Sequence, residues 1–225
     1  MFLRFLKISD TRFEISQEFF TQPKTTKTME ISHAISDAVL TLVGVFVFFQ
    51  YLRKLELATC LLWEAFILSV TAAAFFGVIR FLGYSQAIII SEFFQHLAGT
   101  VGAFCLVLVS FLLVMRKPVE KNIAYIIVAL GFMVFAFVQF TGNQHILQYV
   151  SMITIPLVLL IGIFGLIKGH SAIGSWLVLG VIALILATYN KSFMPNTILD
   201  PTDVYHYLVA ISLLCFGRAA RHQIA

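Results

Sequence analysis

Seven long runs of apolar residues, broken only by short polar turns, dominate the pattern of this chain. They fall at about 31–53, 57–83, 87–115, 121–141, 147–168, 171–190 and 203–219. Each is close to the roughly 20 residues that carry an α-helix across about 30 Å of hydrocarbon. The runs are continuously apolar rather than alternating, which favours helices over the strands of a closed barrel, the other way to satisfy a backbone in lipid. The connections read as turns: "RKLE", "GYSQ", "RKPVEK", "TGNQH", "KGHS" and the longer "NKSFMPNTILDP", whose two prolines do not continue a helix.

Residues 1–30 follow another pattern. Acids and bases alternate with Phe2, Leu3, Phe5, Leu6, Ile8, Phe13, Ile15, Phe19 and Phe20, as in a helix lying along a membrane surface. The uninterrupted apolar core of a secretory signal is missing. The expected fold is an all-α integral membrane protein, with an N-terminal amphipathic arm over 1–30 and a bundle of seven transmembrane helices over 31–225.

Composition agrees, because 60% apolar and 12% charged residues leave too little polar surface to coat a soluble globule. The net charge of +4 carries topology and gives no sign of nucleic-acid binding. Arg53, Lys54, Arg116, Lys117, Lys121, Lys168, Arg218 and Arg221 fall on one side of the membrane, against Lys191 on the other. The basic side is expected to be cytoplasmic, which puts the N-terminus outside and the C-terminus inside. The arm's own bases, Arg4, Lys7, Arg12, Lys24 and Lys27, run against this assignment. Cys60, Cys105 and Cys215 lie within apolar runs, form no CxxC pair and read as small packing residues.

The polar residues that interrupt the runs gather at the extracytoplasmic end: His33 and Asp37, Arg80 and Tyr84, Glu92 and His96, Gln139 and Asn143, His145 and Gln148, Asp203 and His206. Ionisable groups inside spans usually face the bundle interior, pair with one another and mark function. "HAISD" and "EFFQH" place a histidine and an acid at i and i+4, and "DVYH" places them at i and i+3, so each pair shares one helix face. Two readings follow. In one, His33, His96 and His206 hold zinc or another divalent metal, with Glu92 and Asp203 as candidate catalytic carboxylates, since bundle metal sites are built from such pairs. In the other, each carboxylate is satisfied by its own neighbouring histidine and Arg80 is the counter-ion, and Arg80, Tyr84, Gln139 and Asp37 contact a ligand. Haem between two of the histidines is the weaker alternative. Both main readings expect His33, Asp37, Arg80, Glu92, His96, Asp203 and His206 to converge in one cavity. Arg80 is expected to form a salt bridge with Asp37, Glu92 or Asp203. The deeper Glu64 reads as a hydrogen-bonded interhelical group.

The stretches "RFLGYSQAIIISEFF" and "DVYHYLVAISLL" resemble segments of the superfamily of alkaline ceramidases and progestin/adipoQ-type receptors. That resemblance implies a seven-helix membrane protein and, in its active members, a zinc held by one histidine of the second helix and two of the seventh. It sets Glu92 at the family's third-helix acid and His206 at its last histidine. Arg80 and Thr202 stand where the other two histidines belong, and an arginine does not ligate zinc. Two functions are therefore weighed. The first is a non-catalytic protein that binds a lipid or small ligand, or serves in a membrane complex. The alternative is a metal-dependent hydrolase of lipid amides or esters. Membrane lipids and other membrane proteins are the expected partners.

Overall fold

The computed structural model describes residues 27–143, 145–193 and 200–223. Among them the chain forms seven helices. Helix α1, Lys27–Val47, continues through a π-helical turn at Phe48–Leu52; α2 is Leu57–Phe81. Helix α3 runs from Ala87 to Val114, with a π-helical turn at Ala98–Gly102; α4 is Lys121–Thr141, α5 His145–Ile167, α6 Ser171–Phe193 and α7 Pro201–Arg221. These bounds lie within a few residues of the apolar runs. Of the expected amphipathic arm, residues 1–26 lie outside the described residues, and Lys27–Glu30 form the first turn of α1.

Six helices close a ring. Helix α1 packs between α2 and α7, α6 packs on α7 and α5, and α3 joins α2 to α5. Helix α4 lies against the outside of α3, chiefly at its π turn. Trp63 and Phe216 are fully buried, and the Phe216 ring lies 6.5 Å from that of Trp63 and 6.0 Å from that of Phe66, so aromatic side chains of α2 and α7 fill the middle.

Glycine sets how closely the helices approach. A Cβ on Gly102 would meet the Phe66 Cα at 2.8 Å, and one on Gly131 would meet the Val101 Cα at 2.6 Å. Backbones this close are favoured where packing, rather than the expulsion of water, drives association.

Six of the seven helices are long and apolar enough to cross a membrane, and α7 is not among them. The expectation of seven transmembrane helices is thus met in helix number, and in length and apolarity for six of them. Helix α7 carries Asp203, His206, Arg218 and Arg221, and it buries Asp203 and Ser212 against its neighbours. These polar residues lower its hydropathy; Asp203 and Ser212 are turned into the bundle, whereas Arg218 and Arg221 are exposed.

The glycine contacts give a direct comparison. Gly102→Ala forces a Cβ onto the α2 backbone and should cost about 1–3 kcal/mol. Gly99→Ala meets only the Leu147 Cδ2 methyl, at 3.3 Å, and should stay within about 1 kcal/mol of the parent. Thermal unfolding in detergent measures both, and equal losses would contradict this packing.

Candidate functional site at the polar end of the bundle

Helix α7 starts where its sequence can start one. The Asp200 side chain accepts from the Thr202 amide at 2.7 Å, Pro201 occupies the first turn, and Asp203 follows beside the positive end of the helix dipole. On α1, "SHAISD" places Ser32, His33, Ser36 and Asp37 on neighbouring faces of two successive turns. Because α1 packs against α7, the two polar faces meet.

They meet crosswise. His33 Nδ1 of α1 lies 2.9 Å from Asp203 Oδ1 of α7, and His206 Nδ1 of α7 lies 3.2 Å from Asp37 Oδ1 of α1. Each acid is therefore paired with the histidine of the other helix. Ser32 donates to the second oxygen of Asp203. Ser36 Oγ stands between the pairs, 2.7 Å from Asp203 Oδ1 and 3.0 Å from His206 Nδ1. A hydroxyl has one proton, so when Ser36 donates to Asp203 its oxygen is left to accept from the His206 Nδ1–H, which Ser36 and Asp37 then share. The acids lie behind and the imidazoles in front: side-chain exposure is 2% for Asp203 and 6% for Asp37, against 13% for His33 and 16% for His206.

Gly77 of α2 completes the wall, since a Cβ there would collide with the Asp37 carboxylate. One turn on, the Arg80 guanidinium lies 4.3 Å from the centroid of the Phe81 ring, and the His33 ring packs on Phe81 at 5.4 Å. Among the described residues Arg80 makes no ion pair.

Several expectations are corrected here. The salt bridge from Arg80 to Asp37, Glu92 or Asp203 does not form, because both buried acids are already paired with histidines and Arg80 gains a cation–π contact instead. The carboxylates are also not satisfied by the histidines of their own helices. Nor do the seven residues converge. Glu92 and Tyr84 are exposed, and His96 lies 3.2 Å from Gln139 of α4, which is itself exposed. His33, His96 and His206 therefore form no ligand set, and among the described residues no three His, Cys, Asp or Glu side chains are gathered to hold a metal ion. Glu64 accepts from Cys60 of the same helix at 2.9 Å rather than from a neighbouring one. Ser32, Ser36 and Gly77 had not been singled out. The two serines flank the His/Asp pair at i and i+4 and were legible there, whereas nothing local marks Gly77.

A family profile matches residues 32–225, a span that opens at Ser32 and holds every residue of the crossed cluster. The chain belongs to DUF6962, a family of unknown function. No curated protein and no solved structure matches it.

Crossed pairing has a thermodynamic signature. Double-mutant cycles should give coupling of about 1–3 kcal/mol for His33→Ala with Asp203→Ala and for His206→Ala with Asp37→Ala, and much less for His33 with Asp37. Thermal unfolding of the single and double variants reads the cycles. Larger coupling within helices than between them would refute the crossed arrangement.

Proposed function

We propose that this chain is an integral membrane protein, with its N-terminus extracytoplasmic and its C-terminus cytoplasmic, that binds the polar head of a lipid or small ligand at the α1/α2/α7 end without catalysis. The observation that carries the reading is the state of Arg80. Among the described residues it stands half-buried on Phe81 with no carboxylate contact, beside a cluster whose acids are already paired. A cation left uncommitted beside an ordered polar network is a ready partner for an oxygen-rich head group. His33 supports the same reading, because its Nδ1 is held by Asp203 and its other ring nitrogen has no hydrogen bond among the described residues. Orientation rests on the eight-to-one bias of bases between the two sets of loops.

Common descent with the ceramidase and progestin/adipoQ-receptor superfamily is part of the proposal, supported by the seven-helix order and the acid/His head of α7. Hydrolysis is the second reading, and the carboxylate–imidazole pairs favour it, since a carboxylate on Nδ1 orients the far nitrogen of a histidine for proton transfer or metal ligation.

One preparation separates the two. The protein is purified in nanodiscs formed with a natural lipid extract, and bound molecules are identified by native mass spectrometry alongside metal analysis. The binding reading expects a discrete retained ligand, lost about tenfold in Arg80→Ala, which leaves both crossed pairs intact. Stoichiometric transition metal, with turnover of a lipid amide that Asp203→Asn abolishes, would replace it with the hydrolase.

A further inference from the structure

The opposite, basic end of the bundle contains a cavity of about 870 Å³ where four parts of the chain meet: the α1/α2 turn, the end of α3, the α5/α6 turn and the segment after α7. Lys54, Arg116, Lys117, His170 and His222 line it, with Glu56 as the one carboxylate among the described lining residues. Among the described residues the side chains of Lys54, Arg116 and Lys117 make no ion pair and no hydrogen bond. Helices α2 and α6 both begin on this cavity, and the first amides of a helix have no partner in its own ladder.

Arg116 is held there against its backbone preference. Helices α2 and α5 end with Gly83 (φ 108°) and Gly169 (φ 82°) in the left-handed region, and α4 ends with Gly142 (φ 65°). Helix α3 ends in the same way, with Arg116 N bonded to Leu113 O and Lys117 N to Leu112 O, yet the left-handed residue is Arg116 itself, at φ 50°. It is the one non-glycine residue with positive φ among the described residues. Glycine takes this conformation without steric cost and arginine does not, so this position carries a strain that glycine would avoid. Topology alone asks for bases anywhere in these loops. It does not ask for an arginine at a glycine position on the rim of a cavity with three unpaired cations.

We propose that this cavity binds a phosphate-bearing anion, held by Arg116, Lys54 and Lys117 with the α2 and α6 amides behind them. The volume lies in the range of small-ligand sites, roughly 300–1,000 Å³, and far exceeds a lone phosphate, so a phosphorylated head group fits. Such a group comes either from an anionic phospholipid in the adjoining leaflet or from a soluble phosphate ester.

The full chain is tested in phosphatidylcholine nanodiscs, in one arm with phosphatidylinositol bisphosphate in the bilayer and in the other with inositol hexakisphosphate added from solution. Binding is read as the rise in thermal midpoint with increasing anion. Arg116→Gly is the decisive variant. Without anion it should unfold at a higher temperature than the parent, since it relieves the strain, yet its affinity should fall about tenfold or more. Lys54→Ala with Lys117→Ala should lose a similar factor. A response in the lipid arm alone identifies a lipid head group, and an equal response to the soluble ester identifies a free phosphate compound. No response in either arm, or undiminished affinity in both variants, overturns the proposal.

Discussion

Two carboxylates buried between adjoining helices constrain everything else at the polar end. Asp37 and Asp203 are almost fully enclosed in a bundle with apolar walls, where an unpartnered charge costs several kcal/mol even after relaxation. Neither helix is self-sufficient. Each brings one acid and one histidine, and because the pairs cross, the polar groups of α1 are satisfied only when α7 is in place, and the reverse. Two histidine–aspartate pairs bridged by Ser36 thus act as a clasp between segments more than 160 residues apart in the chain. Gly77 gives Asp37 room on the third side.

The clasp also explains the state of its neighbours. With both acids engaged by histidines, Arg80 is left to stack on Phe81, which packs in turn on His33. The fixed positive charge at this end is therefore placed by an aromatic contact. At the basic end the balance differs, since among the described lining residues Lys54, Arg116 and Lys117 stand against one carboxylate, Glu56. A polar network that satisfies itself at one end and unpaired cations at the other divide the molecule into two chemically distinct ends joined by an apolar middle.

Helix positions were largely legible in the sequence, because a continuous apolar run bounded by glycine, proline or charge has few alternatives to a long helix. The polar end was legible in part: shared depth puts His33, Asp37, Asp203 and His206 in one group, but with Arg80, Glu92 and His96 in the same group. Pairing was not, because i and i+4 spacing puts two residues on one face without saying whether they face each other or a neighbouring helix. That choice depends on α1 lying beside α7, which no local pattern encodes. The same gap separates His96 and Glu92 from the cluster, since equal depth does not imply an equal direction around the bundle. Arg80 was assigned a carboxylate on the sound ground that a buried cation needs a partner, but a half-buried arginine next to Phe81 already has one. Helix α7 was read as a span like the others, although the polar residues that make it the other half of the clasp also lower its hydropathy.

The crossed clasp can be observed directly by solid-state NMR of the protein in lipid bilayers, with ¹⁵N-labelled histidine and ¹³C-labelled aspartate. Dipolar transfer between His33 Nδ1 and the Asp203 carboxyl carbon, and between His206 Nδ1 and that of Asp37, is the predicted result. Transfer from His33 to Asp37 and from His206 to Asp203, with none between the helices, would contradict it.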